Sequence, residues 1–98
     1  MAEVSWTAEA VRWLKDIHDY IAEDSPDAAA RVVESIHRKV EALAEYPQLG
    51  QRYKTRTGAD TRLLLYGHDR IAYVIKPSGD IDVLGVFHGA LDIDQYLL

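Results

Sequence analysis

Residues 60–76 constrain the fold of this chain more than any other segment, because they read as two short strands joined by a tight turn. The strands are predicted over Thr61 to Tyr66 and Arg70 to Lys76, where apolar side chains alternate along an extended backbone. The sequence Gly67-His68-Asp69 between them is typical of a turn. A second turn signal at residues 77–80 precedes a third predicted strand, Ile81 to His88. These segments predict an antiparallel meander.

Two amphipathic helices precede the meander. The first is predicted from about Ala8 to Glu23, with Thr7 as its N-cap, and the second from about Pro26 to Glu45, with Ser25 as its cap. Their apolar stripes consist of Ala10, Trp13, Leu14, Ile17, Tyr20 and Ile21 in the first helix and of Ala29, Val32, Val33, Ile36, Val40 and Leu43 in the second. Because few residues separate the helices, we expect an antiparallel helix hairpin.

The remaining segments complete an α+β prediction. Val4 to Trp6 is predicted as an N-terminal edge strand, Gln51 to Ala59 as an irregular connection, and Leu91 to Leu98 as a tail or short helix. We expect the helix hairpin to pack on a small antiparallel sheet of three to four strands. A chain of 98 residues suits a single domain, residues 1–98.

Composition excludes several classes of protein and site. The chain has no cysteine, so it has neither a disulfide nor a thiolate metal site. No apolar run approaches the ~20 residues that a membrane span needs. Because the N-terminus also lacks the pattern of a signal peptide, we expect a cytoplasmic protein. The histidines and carboxylates lack metal-ligand spacing, and no glycine-rich phosphate loop occurs, so we expect no metal and no cofactor.

Charge is unevenly distributed along the chain. Residues 1–50 carry a net charge of −5, residues 51–70 carry +3 and residues 71–98 carry −3. An acidic chain is a poor general ligand for nucleic acids, because phosphate affinity comes mainly from Lys and Arg. The basic segment could grip a few phosphates, or it could be a solvated loop and hairpin. Its cations are Arg52, Lys54, Arg56, Arg62 and Arg70.

The predicted strands are apolar on both faces. One face is expected to pack on the helices, and the other needs a cover that the tail could supply only in part. An under-covered apolar face favours a protein partner.

Short sequences in a fixed order resemble one family. They are Trp6-Thr7, Ser25-Pro26-Asp27-Ala28-Ala29, Tyr46-Pro47-Gln48-Leu49-Gly50, Thr61-Arg62, Arg70-Ile71-Ala72-Tyr73 and Val86-Phe87-His88-Gly89. Together, along nearly the whole chain, they resemble the RelE/ParE superfamily of type II toxin–antitoxin toxins, nearer its ParE-like, plasmid-stabilisation branch.

This resemblance implies a growth-inhibiting toxin that a cognate antitoxin neutralises by lying along its helices and sheet. The antitoxin is expected to contact Trp13, Ile17 and Tyr20 on the first helix. Its acidic tail is expected to meet the basic residues, namely Arg52, Lys54 and Arg56. DNA is expected to be bound only indirectly, through the antitoxin. ParE-like members inhibit DNA gyrase, and we expect this activity here, without catalysis.

The alternative implied by the resemblance is a RelE-like ribonuclease that cuts mRNA in the ribosome. Its candidate residues are Arg62, Arg70 and His88, but the positions of the family's lysine pair fall near Thr61 and Leu63, which cannot replace lysine. His88 could equally bond to backbone, and the arginines could pair with Asp60, Asp69 or Asp82. Tyr96 could stand for the family's C-terminal tyrosine or dock the tail on the core. A third possibility is an inactive relative that only binds its antitoxin.

Overall fold

Two helices pack on one face of a five-stranded sheet in a computed structural model, which describes residues 1–53, 55 and 57–88 of the chain. The elements are β1 (Val4–Trp6), α1 (Ala8–Ala22), α2 (Pro26–Glu41), β2 (Gln51–Tyr53), β3 (Asp60–Tyr66), β4 (Asp69–Ile75) and β5 (Ile81–His88). The predicted α+β class and helix hairpin are confirmed.

Both helices begin at the predicted caps. The Thr7 hydroxyl accepts a hydrogen bond from the Ala10 N–H at 3.1 Å, and Ser25 accepts one from the Ala28 N–H at 3.2 Å. The sequence pattern predicts a second helix that reaches Glu45, but the α-helix ends at Glu41 and a 3₁₀ turn covers Ala42–Ala44. A tightened last turn is common at helix ends.

The sheet has the strand order β1-β5-β4-β3-β2. The strands β3, β4 and β5 form the predicted antiparallel meander, while β1 pairs in parallel with β5 as an edge strand. Thr7 ties α1 to this edge, because its hydroxyl donates to the Val83 carbonyl at 2.9 Å. This bond holds the start of α1 beside β5.

The sequence prediction was wrong at β2. It had an irregular connection from Gln51 to Ala59 and a sheet of three to four strands. Gln51–Tyr53 pairs antiparallel with residues 61–63 of β3, which brings the count to five. A polar edge strand has no strong apolar alternation to reveal it. Its half-buried Tyr53 packs beside Ala72 and Phe87, residues that are distant in sequence.

The main core lies between the helices and the sheet. Its fully buried side chains come from every layer: Ala10 from α1, Ile36 and Val40 from α2, Leu43 from the 3₁₀ turn, and Ile71, Tyr73, Ile81, Val83 and Val86 from the strands. A smaller cluster consists of Ala72 and Phe87, whose side chains lie on the opposite sheet face, with half-buried neighbours that include Trp13 of α1. The helices that the structure describes are too short and polar to cross a membrane. The predicted tail, Leu91 to Leu98, lies outside the described residues.

Candidate functional site

A groove with a volume of about 460 Å³ runs between α1 and the ends of β4 and β5. It is lined by Trp13, Asp16, Ile17, Tyr20, Ile21, Asp69 and Val86, which we call the α1 groove. The helical spacing of the first five explains why they share one wall. The three apolar residues that sequence analysis assigned to antitoxin binding on helix one, namely Trp13, Ile17 and Tyr20, all lie in this wall.

The floor of the α1 groove is fixed, whereas its rim is exposed. Trp13 packs edge-on against the ring of Phe87, with ring centroids 4.9 Å apart and an interplanar angle of 71°. Ile17 packs against the main core. Tyr20, in contrast, is 78% exposed. The groove therefore presents an ordered apolar surface to solvent.

The sheet face opposite to the main core contains buried residues. Ala72 and Phe87 are buried there, and Phe87 lies so close over Gly85 that a Cβ on this glycine would be 2.7 Å from the phenylalanine ring. The absence of a side chain at Gly85 therefore makes room for the Phe87 ring. Leu65, 63% exposed, marks a second groove of about 520 Å³ at the edge of β3.

A second arrangement, which we call the loop brace, consists of Asp60, Arg62 and Tyr73 together with the loop 47–50. The Tyr73 hydroxyl donates to the Pro47 carbonyl at 2.7 Å and accepts from the Gly50 N–H at 2.8 Å. Burial raises the pKa of the Tyr73 phenol. A Cβ on Gly50 would lie 2.7 Å from the Tyr73 ring and hydroxyl, so only glycine fits.

Arg62 completes the loop brace. Its Nε donates to the Asp60 carboxylate at 3.0 Å, and its Nη1 donates to the Gly50 carbonyl at 3.0 Å and to the Gln48 carbonyl at 3.4 Å. Its side chain is only 13% exposed. The guanidinium of Arg62 is thus engaged in holding the loop on the sheet, which agrees with the predicted alternative of pairing with Asp60.

The structure does not bring together Arg62 and Arg70, the two arginines that could have held a phosphate in a ribonuclease. Arg62 is aligned with Tyr73, which faces the helices, whereas Arg70 is aligned with Leu65 and Phe87, whose side chains lie on the opposite face. Since side chains alternate along a strand, Arg62 and Arg70 project from opposite faces of the sheet. One phosphate cannot lie between them.

The other candidate residues have different surroundings. His88 is the last residue of β5, and its Cα is aligned with Asp69 of β4. Arg52 is 72% exposed on its side chain, with its Nε 3.6 Å from the Asp60 carboxylate. Lys54, Arg56 and Tyr96 lie outside the described residues. Among the residues described, no group of three potential metal ligands occurs.

Two functional features were missed by sequence analysis. Asp16 was not among the residues that sequence analysis assigned to antitoxin binding, yet it lines the α1 groove with Asp69 and Val86. The signal that could have placed Asp16 there is its position three residues after Trp13 and four before Tyr20. The partners of Tyr73 were also missed, although a tyrosine between Ile71 and Ile75 in a buried strand needs hydrogen-bond partners.

Known proteins resemble this chain over most of its length. A family model described as the ParE toxin of type II toxin–antitoxin system, parDE, matches residues 4–93. A protein of Sinorhizobium fredii named "Putative toxin Y4kP" is 42% identical over 96 residues, which is 96% of this chain and 95% of that protein. Toxin RelE2 of Caulobacter vibrioides is 43% identical over 51 residues, 52% of this chain and 58% of that protein.

Two solved structures have the same fold. A chain of the chromosomal ParDE system from P. aeruginosa superposes with a TM-score of 0.73 at 22% identity, covering 90% of this chain and 96% of that one. A chain of the RelBE2 toxin–antitoxin complex from Mycobacterium tuberculosis gives 0.62 at 24% identity, covering 89% and 96%. Given the extent of the family match and the identity to a full-length relative, this chain belongs to the ParE toxin family of type II toxin–antitoxin systems.

Proposed function

We propose that this chain is neutralised by a cognate antitoxin bound in the α1 groove, and that the free toxin arrests growth by binding DNA gyrase rather than by cleaving RNA. Two features support the proposal, and each concerns a different region. The α1 groove has the character of a docking surface. The sheet lacks the geometry of a phosphate clamp at the two arginines that could have formed one.

The position of Arg62 is the observation that carries the choice against cleavage. Metal-free RNA cleavage needs a base, an acid and positive charge around a single phosphate. Arg62 is engaged by Asp60 and the loop carbonyls, and it lies on the face opposite to Arg70. Moving Arg62 onto a phosphate would leave the Asp60 carboxylate and the Gly50 carbonyl without their donor, at a cost in stability.

The two strand positions that fall near the family's lysine pair offer no replacement for this lost cation. Thr61 and Leu63, which fall near the family's lysine pair, lie on the sheet face opposite to Arg62. The Thr61 residue is 4% exposed, so its hydroxyl is not available to a large ligand. Neither side chain can take up a proton near neutral pH.

Antitoxin binding is supported by the α1 groove. Helices that bind in grooves insert apolar side chains at intervals of three and four residues, and a wall with the spacing of Trp13, Ile17 and Tyr20 suits them. Tyrosine and tryptophan supply much of the binding energy of protein interfaces. The two solved relatives are components of ParDE and RelBE2 toxin–antitoxin systems, which agrees with such a partner.

Two assays on the purified chain test the choice of target. In the first, gyrase supercoils a relaxed plasmid in the presence of increasing toxin. In the second, mRNA translated with the same toxin is examined by primer extension. We expect loss of supercoiling, intact mRNA, and recovery of supercoiling when antitoxin is added.

Two other outcomes would contradict the gyrase proposal. Cuts in phase with codons, with supercoiling unaffected, would identify a ribosome-dependent ribonuclease. Inertness in both assays, together with normal growth on expression, would identify a relative that only binds its antitoxin. A variant with Arg70→Gln serves as the control for cleavage, since it removes the positive charge of Arg70 from the second sheet face.

A further inference from the structure

An unpaired carboxylate stands on the wall of the α1 groove. Asp16 is exposed and forms no ion pair with any residue that the structure describes. Two other exposed carboxylates of the helices, in contrast, are paired within their own helix. The Asp19 carboxylate lies 2.6 Å from the Lys15 ammonium, and the Glu34 carboxylate lies 3.3 Å from the Arg38 guanidinium.

The described residues that line the α1 groove include no Lys or Arg, and Arg12 lines a separate hollow on the other side of Asp16 without forming an ion pair with it. They comprise five apolar or aromatic side chains and two carboxylates, those of Asp16 and Asp69. An apolar ligand that filled the groove would strip water from the Asp16 carboxylate without replacing its hydrogen bonds, which is costly. A ligand that brings an ammonium or guanidinium group would offset this cost and gain an ion pair at the rim.

Charge also distinguishes among the possible occupants of the groove. Residues 89–98 of the chain itself contain two aspartates and no Lys or Arg, so they would bring like charge to Asp16. A second copy of the chain would place two carboxylate-lined walls face to face. A separate protein with a basic amphipathic segment has neither disadvantage.

We propose that the antitoxin segment in the α1 groove is amphipathic and basic, and that one of its lysines or arginines pairs with Asp16. This inference rests on the proposed antitoxin docking and adds the chemistry of the segment that docks. The antitoxin would then carry two oppositely charged parts. A basic apolar part lies on α1, and an acidic part meets the basic residues that begin with Arg52.

The test uses the full-length chain, with the product of the gene next to its own as the probe, in titration calorimetry at two salt concentrations. We expect Asp16→Asn to weaken binding about fivefold and Asp16→Lys about fiftyfold, more at low salt than at high salt. The matched controls are Glu41→Gln and Glu41→Lys, at an exposed carboxylate of α2 that does not line the α1 groove. We expect these to change affinity less than about twofold.

A charge exchange across the interface makes the test specific. Replacing each Lys or Arg of the probe by Glu in turn should identify one position that restores affinity for the Asp16→Lys chain and weakens affinity for the unchanged chain. Such reciprocal rescue is expected from a direct pair and not from a general change in net charge.

The outcomes separate this inference from the proposed function. If Tyr20→Ala weakens binding but the Asp16 variants behave like the Glu41 variants, the proposed pairing of a basic segment with Asp16 is wrong, and the proposal of antitoxin docking stands. If neither Tyr20 nor Asp16 variants weaken binding, the docking site itself is wrong. If Asp16→Lys raises the melting temperature of the free chain and leaves probe binding unchanged, the acidic residues 89–98 occupy the groove and the inference fails.

Discussion

The α1 groove and the loop brace use their side chains in opposite ways. In the brace, the Tyr73 hydroxyl and the Arg62 guanidinium bond to backbone groups of the loop 47–50. In the groove, Tyr20 is 78% exposed and Asp16 has no ionic partner among the described residues. The polar side chains of the brace are engaged with the protein's own backbone, whereas Asp16 and the Tyr20 side chain remain open to solvent.

This contrast shows how residues that look functional in the sequence can be structural. Arg62 lies in the basic segment and suggests a phosphate contact, yet its bonds hold a loop in place. Tyr20 looks like part of a helix core stripe, yet it is exposed beside an apolar groove. Satisfaction of hydrogen bonds therefore discriminates the two roles better than residue type does.

The largest expected effect comes from filling the space beside Tyr73. Gly50→Ala should lower the free energy of unfolding by about 3 kcal/mol, because the new Cβ would overlap buried atoms that cannot move apart cheaply. Two of these are the Tyr73 ring and hydroxyl at 2.7 Å, and a third is the Leu63 carbonyl oxygen at 3.0 Å. Urea denaturation measures the change.

Gly58→Ala is the matched control for this substitution. Gly58 has a φ of +70°, but a Cβ added there would meet no atom within 4 Å. Only backbone strain of about 1 kcal/mol is therefore expected. Equal losses for both variants would mean that the close approach at Gly50 contributes nothing.

Two exposed tyrosines allow the regions to be compared in binding. Tyr20→Ala in the α1 groove should weaken antitoxin binding about thirtyfold, as expected for an interface tyrosine. Tyr46→Ala, beside the loop brace and 62% exposed, should leave the affinity unchanged within about twofold. Both variants should melt close to the unchanged chain, since their side chains are largely solvated. A larger loss of affinity for Tyr46→Ala would reverse the assignment of the two regions.

Removing one hydroxyl tests the brace without changing its shape. Tyr73→Phe leaves the Gly50 N–H and the Pro47 carbonyl without their partner and should cost about 1.5 kcal/mol in chemical denaturation at neutral pH.

The stability difference between the unchanged chain and Tyr73→Phe should also depend on pH. Burial raises the pKa of Tyr73 in the folded chain. The contribution of the neutral phenol to stability is therefore complete below its ordinary pKa of 10.0. It is lost as the pH rises from there through the folded pKa. The stability difference between the unchanged chain and Tyr73→Phe should therefore shrink above pH 10.0. A difference that stays constant would show that the hydroxyl does not ionise with unfolding.

The smallest expected effect is that of a charge-conserving change in the brace. Arg62→Lys should lower stability by about 1 kcal/mol, because lysine cannot bond to the Asp60 carboxylate and the Gly50 carbonyl with a rigid fork. Arg52→Lys, at a side chain that is 72% exposed, is the control, and its melting temperature should not change. Equal stability for both variants would show that Arg62 does not stabilise the loop brace.

Local signals in the sequence predicted the helices and the meander well. Thr7 and Ser25 act as caps because the N–H groups they satisfy lie three residues away. The stripe that contains Trp13, Ile17 and Tyr20 follows from helical spacing, so one wall of the candidate site was also predicted.

Features that depend on distant residues were not predictable in the same way. The bond between Gly50 and Tyr73 joins residues 23 positions apart, and the Arg62 bond to the Gly50 carbonyl joins residues 12 apart. The polar strand Gln51–Tyr53 exists because β3 offers it an edge. The separation of Arg62 and Arg70 onto opposite faces follows from the pairing register, which composition does not reveal.

Hydrogen exchange of the chain, free and in complex with its antitoxin, tests most directly whether the α1 groove is the recognition surface and the brace a structural one. We expect peptides covering residues 13–21 to exchange more slowly in the complex, while peptides covering residues 46–50 exchange at the same rate in both states. Protection of residues 46–50 with no change at residues 13–21 would contradict the account.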